Sequence, residues 1–571
     1  MDTQRLILFL VFSFSLMFLW EAYQRHVNPP VIPAKSAQTT QPSSTAPPKP
    51  ADVPSASPSG LATGPTTTAA PPPPTGGPAA QVGEQVVVRS DLYTATIDTL
   101  GGVVSEVALN QHRDATDPRK PYKVIQRSDA VSIAQAGLLG EGMPNHRTQY
   151  RVMPGPRELK PGQDRIDVRL EATAPTGDTI LQTLTFHRGS YVIDVAFSVR
   201  NATDRPQSPY AYFQLTRDTK TALPQSSWTP VAYTGPVIYN EADKFKKVDY
   251  AEIDKLASDP KRKAPFTSKA DNGWVGMIEH YFVNAWLPAV ESKVEREFYV
   301  RKLDNGLYTA GLIVPMAAIP PGETGTTSMR LYAGPQEQDV IGSLAPGFDL
   351  VVDYGIFTVL AAPLFWLLKW LHSLIGNWGW AIVVMTVIIK MAFYPLNAAA
   401  ARSMGKMKIV APKLKALQEQ YGADKQQLQM KMMELYRQEK INPLGGCLPI
   451  LVQIPVFIAL YWVLLSAVEL RYAPWIGHIK DLSGPDPYFI LPVVYAITAY
   501  LQVKLSPTPI TDPMQARIMQ IMPVAFSVLF VFFPSGLVLY WLVNNILQIA
   551  QQWQMNRMLE KEQALALARK R

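Results

Sequence analysis

Two rhythms of apolar and polar positions divide the chain. From Gly83 to about Ala345 the dominant period is two. Tyr191, Ile193, Val195, Phe197 and Val199 alternate with Val192, Asp194, Ala196, Ser198 and Arg200, which predicts a strand with one face in a core. Thr99-Leu100-Gly101-Gly102 separates two such runs, and Asp304-Asn305-Gly306 separates Phe298–Lys302 from Leu307–Val314; both read as hairpin turns. A stretch of about 260 residues in this texture predicts one large all-β sandwich.

After Asp353 the alternation gives way to long apolar runs: Trp378–Leu396, Leu444–Val468, Tyr488–Val503, Ile518–Phe533 and Leu537–Ile549. The last two are joined by Pro534-Ser535-Gly536, a tight reversal. Runs of this kind predict membrane-spanning helices, since about 20 residues at ~1.5 Å each cross the hydrocarbon. A sixth apolar run, Leu6–Trp20, follows Arg5, and no small-residue cleavage site comes after it; it reads as an uncleaved anchor. Pro29 to about Ala80 is rich in Pro, Ala, Ser and Thr and contains no aromatic residue, so it predicts an extended, disordered tether. The resulting plan is anchor 1–28, linker 29–82, β-domain 83–345, amphipathic segment 350–376, five-helix core 377–556 and basic tail 557–571.

Charge sets the topology. Between Leu396 and Leu444 lie Arg402, Lys406, Lys408, Lys413, Lys415, Lys425, Lys431, Arg437 and Lys440, opposed by Glu419, Asp424, Glu434 and Glu439. So basic a loop is expected on the cytoplasmic side. With the N-terminus inside and the β-domain outside, one crossing at Trp378–Leu396 delivers it there. Asp353–Ile375, apolar at helical spacing but interrupted by Pro363, Lys369 and His372, is then expected to lie in the outer interface rather than to span. The tail, with Arg557, Lys561, Arg569, Lys570 and Arg571, falls inside.

Within the basic loop, Met407, Val410, Leu414, Leu417 and Tyr421 share a helical stripe, as do Leu428, Met432, Leu435 and Tyr436; Gly422 and Asp424 supply a stop and a start. This predicts an antiparallel helical hairpin with one apolar stripe and a basic remainder. Two uses remain open for it: affinity for phospholipid, or docking of an anionic cytoplasmic partner.

The chemistry of the core turns on Lys390, which sits between Ile389 and Met391 with no charged neighbour. A lysine about 9 Å of helix from Leu396 is able to snorkel to the interface. However, none of the six apolar runs contains Asp or Glu, and a cation without a counter-ion in a membrane core is costly. Thr386, four residues earlier on the same face, and Gln453, Asn544, Asn545 and Gln548 in other runs are candidates to hold water. Together they suggest a hydrated groove with one positive charge, open to the basic cytoplasmic face. Pro449, Pro455 and Pro523 are expected to hinder uniform packing, and Met514, Met519 and Met522 suit an adaptable surface or simple core filling.

Composition narrows the classes further. In 571 residues, hydrophobic types make up 47 %, charged types 18 %, and the net charge is +8. Cys447 is the one cysteine, so no intrachain disulfide forms. No Walker-type, HExxH or GxSxG motif is present and the seven histidines are scattered, which leaves no sign of a nucleotide, zinc or acyl-enzyme site. The expectation is a non-catalytic protein without cofactor, metal or direct nucleic-acid readout.

Four motifs carry a resemblance: NPLGGCLPILVQIPVF (Asn442–Phe457), VELRYAP (Val468–Pro474), SPTPITDPMQ (Ser506–Gln515) and FPSGLVLYW (Phe533–Trp541). Together they resemble the YidC family of membrane protein insertases, in the Gram-negative branch with a large periplasmic domain. The resemblance implies a five-helix core whose hydrophilic groove opens to cytoplasm and lipid, a periplasmic β-supersandwich, and residence in the inner membrane with both termini cytoplasmic. It implies action on nascent membrane proteins, alone or with the Sec translocon and its accessory subunits, with the ribosome, the signal-recognition-particle receptor and membrane lipids as further partners. The groove charge, usually arginine in the family, falls here on Lys390, which keeps the charge and loses the bidentate fork. Thr386 and Trp541 match groove positions; Pro449, Ile454 and Phe457, with Tyr540, match substrate-contact positions.

Two other classes compete. A small-anion transporter using Lys390 would need an outer gate and usually repeated halves, and no internal repeat is visible. A membrane-anchored periplasmic enzyme or binding protein would place function in Gly83–Ala345, where no nucleophile–base pattern stands out.

Overall fold

A computed structural model of the chain describes residues 52–54, 83–114, 117–128, 130–220, 233–259, 261–289, 293–421, 424–439, 448–505, 521–522 and 524–570. The expected anchor Leu6–Trp20, most of the tether, and the SPTPITDPMQ stretch lie outside the described residues. Two units form, one of sheets up to Val352 and one of helices from Asp353 onward.

The β-unit is the expected sandwich of two antiparallel nine-stranded sheets. The first runs, in spatial order, Gln85–Arg89, Tyr93–Asp98, Val103–Arg113, Ser132–Leu139, Tyr210–Arg217, Tyr308–Pro315, Arg296–Lys302 and Lys269–Ala270, with Pro121–Ile125 paired to Val103–Arg113. The second runs Lys244–Lys247, Thr234–Asn240, Trp274–Glu279, Phe282–Pro288, Thr324–Pro335, Val192–Arg200, Thr179–His187, Arg165–Thr173 and Arg151–Val152. Alternation dictates which side chains meet between the sheets. Phe213 of the first sheet packs 5.1 Å from Trp286 and 6.2 Å from Phe197 of the second, ring centre to ring centre. Trp286 is 1 % exposed and its indole N–H donates to the Gln214 carbonyl at 3.0 Å, so this large core ring leaves no polar atom unpaired.

Both expected hairpins form. Asp304-Asn305-Gly306 joins Arg296–Lys302 to Tyr308–Pro315, with Gly306 at φ +80°. At the other, Gly101 has φ +88°, and a Cβ there would lie 2.1 Å from the His146 carbonyl oxygen, so both conformation and space call for glycine.

The helical unit comprises α1 (Thr358–Ile375), α2 (Trp378–Ala392), α3 (Tyr394–Tyr421), α4 (Lys425–Gln438), α5 (Leu448–Ser466), α6 (Ile490–Leu505) and α7 (Ser535–Lys570), with a 3-10 turn at Val528–Phe532 before α7. Three expectations need correction. The run Trp378–Leu396 is not one straight helix: α2 ends at Ala392 and the chain bends 56° into α3. Pro395 accounts for this, because it lacks the N–H that would bond to the Met391 carbonyl one turn earlier and its ring crowds that carbonyl, yet it fits the first turn of a new helix. Nor does the last helix stop at Ile549 with a separate tail, since α7 runs unbroken for 36 residues, about 54 Å. Finally, the tether is not wholly without structure: Asp52–Pro54 is placed against the β-unit.

α1 buries Ala361, Phe365, Leu368 and Leu371 and exposes Val359, Trp366, Trp370 and Leu374. Apolar on both faces, it is long and apolar enough to cross a membrane by length and composition.

Candidate functional site: a polar row along the last helix

In α7, Asn544, Gln548 and Gln551 recur at spacings of four and three and therefore share a face, with Asn545 alongside. Each meets a polar side chain from another helix. Gln453 of α5 donates from Nε2 to Asn544 Oδ1 at 3.0 Å, and Asn545 Nδ2 donates to Thr498 Oγ1 of α6 at 2.9 Å. Lys390 Nζ of α2 donates to Gln548 Oε1 at 2.7 Å, and Asn397 Nδ2 of α3 reaches Gln551 Oε1 at 3.5 Å. One helix thus presents polar groups to four others. The residue types at Asn544, Asn545 and Gln548 pointed to such a row; Asn397, Thr498 and Gln551 were missed, though Gln551 continues the same spacing.

Lys390 stands in the last turn of α2, where a cation complements the unpaired carbonyls of a helix C-terminus. This corrects the picture of a lysine six residues inside a longer helix. The picture of an ammonium facing open water is corrected as well. Lys390 keeps only 7 % of its accessible surface, Asn545 5 % and Thr386 1 %. The Thr386 hydroxyl is committed to its own backbone, donating to Ile382 C=O at 2.7 Å. Among the described residues no carboxylate lies within ion-pair distance of Lys390, and the acceptor is a neutral amide.

The substrate-contact candidates gather beside this row. Phe457 of α5 stands edge-on to Trp541 at 4.6 Å and stacks on Tyr540 at 6.4 Å. Trp541 also packs 5.2 Å from Phe530 and 6.0 Å from Tyr495; its buried indole N–H has no hydrogen-bond partner among the described residues. Trp541 therefore belongs to an aromatic cluster rather than to the polar row. Tyr540 is 2 % exposed, whereas Ile454 is 45 % exposed, so of the two Ile454 is the one presented at the surface. The side chain of Pro449 lies outside the described residues.

The other end of the unit is closed by a folded loop, Ala467–Phe489. Asn377, at the start of α2, donates to the carbonyls of Pro474 and Trp475 at 3.2 and 3.1 Å. The backbone N–H groups of Ser535 and Gly536 donate to Gly484 and Leu482 carbonyls at 2.7 and 2.9 Å. Asp486, 2 % exposed, accepts from the N–H groups of Tyr488 and Leu491 and from His478. These ties fix the loop over the N-terminal ends of α2 and α7, the ends remote from Lys390.

α3 and α4 form the expected hairpin. Val410 and Leu414 pack with Met432, Leu435 and Tyr436. Asp424 caps α4, accepting from the N–H groups of Gln426 and Gln427 at 3.0 Å. Among the basic residues, Lys413 pairs with Glu439 at 2.5 Å and Lys431 with Glu434 at 2.9 Å, both exposed, and Arg437 is exposed too. The side chains of Arg402, Lys406, Lys408, Lys415, Lys425 and Lys440 lie outside the described residues.

A β-sandwich unit followed by an apolar helical unit with an internal polar row defines a membrane protein carrying a large extramembrane domain. Comparison with known proteins narrows the class. The family described as "YidC periplasmic domain" matches residues 85–367, and "60Kd inner membrane protein" matches residues 370–562. The chain is 50 % identical over 565 residues to a membrane protein insertase YidC of Aromatoleum aromaticum, covering 99 % of both chains, and 47 % identical over 566 residues to that of Nitrosospira multiformis, covering 98 % of both. A solved structure titled "Active YidC insertase crystal structure with the first transmembrane domain resolved" matches at 20 % identity and a TM-score of 0.38, over 82 % of this chain and 94 % of that one. The chain belongs to the YidC family of membrane protein insertases.

Proposed function

We propose that this protein is a membrane protein insertase and chaperone of the bacterial inner membrane. In this reading the β-unit is periplasmic, both termini and the α3–α4 hairpin are cytoplasmic, and α1 lies along the outer interface. The single observation that carries the mechanism is the Lys390 ammonium, held by the neutral amide of Gln548 and by no described carboxylate. A client that brings a carboxylate replaces a neutral acceptor with an ionised one, adding the attraction of opposite charges to a bond whose donor is already charged, an attraction that grows where water is excluded. The acidic or polar part of the client parks at Lys390 while its apolar segment passes along Ile454 and Phe457 into lipid. No bond is broken, and the resting burial of Lys390 means that the groove opens as Gln548 gives way.

The tied loop at Ala467–Phe489 supports a one-sided groove, closed toward the periplasm. The basic hairpin supports docking of anionic cytoplasmic partners, the ribosome and the signal-recognition-particle receptor, and family membership supports cooperation with the Sec translocon. Photo-crosslinkers at Phe457 and Lys390, with a ribosome-stalled nascent membrane protein, test this: adducts to the nascent apolar segment are expected at both. Absence of adducts, together with anion flux in proteoliposomes that Lys390→Ala abolishes, would replace the reading with that of a transporter.

A further inference from the structure

The strand Tyr210–Arg217 turns Phe213 and Leu215 toward the aromatic core, so Tyr212, Gln214 and Thr216 belong to the opposite face of the sheet. That face is polar, yet Tyr212 and Gln214 are fully buried and Thr216 is 2 % exposed. Their polar atoms form one network. Gln214 Nε2 donates to Gln135 Oε1 at 2.8 Å, Thr216 Oγ1 donates to the same oxygen at 3.0 Å, and Tyr299 Oη donates to Gln214 Oε1 at 2.8 Å. Gln214 Nε2 has a further acceptor, the main-chain carbonyl of Asp52 at 3.2 Å, a residue of the Pro/Ala/Ser/Thr-rich tether.

The Asp52 side chain is held just as specifically. Arg147 grips it with both prongs of its guanidinium, Nη2 to Oδ1 at 2.7 Å and Nε to Oδ2 at 3.1 Å. His146 Nε2 reaches Oδ2 at 3.0 Å. The imidazole is itself positioned, because Tyr212 Oη accepts from the His146 backbone N–H at 3.0 Å and lies 2.5 Å from Nδ1. Tyr212 Oη and the Asp52 carboxylate thus engage the two ring nitrogens of His146 from opposite sides. Pro54 is buried as well. Three donors to the carboxylate from two residues, one side-chain donor to the main-chain carbonyl and a buried proline describe a receptor for a short acidic peptide.

We propose that the β-unit carries a binding cleft for a short peptide bearing an acidic residue, and that Asp52–Pro54 of the tether occupies it in cis as a latch that any peptide in trans must displace. The proposal is independent of the Lys390 groove. The probe is a fluorescein-labelled synthetic peptide with the sequence of residues 48–58, titrated by anisotropy against the full-length protein in nanodiscs. Asp52→Ala, which empties the cleft, is expected to tighten peptide binding at least tenfold over wild type. On the Asp52→Ala chain, Arg147→Ala is expected to abolish that gain and Arg147→Lys to leave part of it. Arg147 is half exposed (55 %), so the fold should tolerate both changes, and a peptide with Asn in place of Asp52 provides a check that needs no second mutation in the protein: its binding to the Asp52→Ala chain should fall at least tenfold. Equal affinity of the wild-type and Asp52→Ala chains, or equal binding of the Asp and Asn peptides, overturns the proposal.

Discussion

The ammonium of Lys390 on α2 and the side-chain carbonyl of Gln548 on α7 meet at 2.7 Å, a charge held by a dipole across two helices 158 residues apart in the chain. Changing the acceptor is therefore the sharpest probe of the site. Gln548→Glu supplies the missing carboxylate in place. It is expected to leave thermal stability equal or higher and to reduce insertion of acidic-tailed clients about tenfold, measured in proteoliposomes. Gln548→Leu strands a buried cation and should destabilise the protein by about 1–3 kcal/mol.

Charge and shape at Lys390 separate in two variants. Lys390→Arg is expected to retain insertion, and Lys390→Glu to lose it for acidic-tailed clients. Equal losses in the two would mean that side-chain volume, not charge, is what the site needs.

The hairpin makes two predictions on different scales. Asp424→Ala removes the cap on α4 and should cost about 1 kcal/mol locally, read as faster amide exchange over Gln426–Leu428. Deletion of residues 402–440 should weaken ribosome co-sedimentation severalfold while the thermal midpoint of the β-unit stays put. Unchanged co-sedimentation would count against the docking role.

In the β-unit, Phe213→Ala opens a cavity between Phe197 and Trp286 and is expected to destabilise it by about 3–5 kcal/mol, visible as a lower midpoint in thermal melts followed by circular dichroism.

The latch has a defined pH dependence. Burial alone would raise the Asp52 carboxyl, but the hydrogen bonds from His146 and Arg147 outweigh it and hold it well below the usual carboxylate range. A group whose pKa is lowered on docking contributes stability above its free pKa and loses it as pH falls through the docked value. Docking should thus persist from neutrality down through about pH 4 and fail only in stronger acid. An intramolecular photo-crosslink from Val53, read by mass spectrometry, should keep its yield down to that pH; loss between pH 7 and 5 would place control in another group.

Local patterns carried much of this architecture. Alternation at Tyr191–Arg200 and the glycines after Leu100 and Asn305 announced strands and hairpins, because side-chain period and turn conformation are set by neighbours in the chain. Asp424 and the stripes ending at Tyr421 and Tyr436 announced the hairpin for the same reason. The bend at Phe393 was also written locally, in Pro395, but was hidden by the unbroken apolarity on either side.

What the amino-acid order determined alone was therefore the inventory: a β-unit, apolar helices, a basic hairpin, and one lysine among apolar runs devoid of carboxylates. The meetings of Lys390 with Gln548, Asn397 with Gln551, and Asp52 with His146 and Arg147 were decided only in the tertiary structure. Each joins residues far apart in sequence, and a hydrogen bond is selected by distance and direction in space, for which hydrophobic periodicity holds no information.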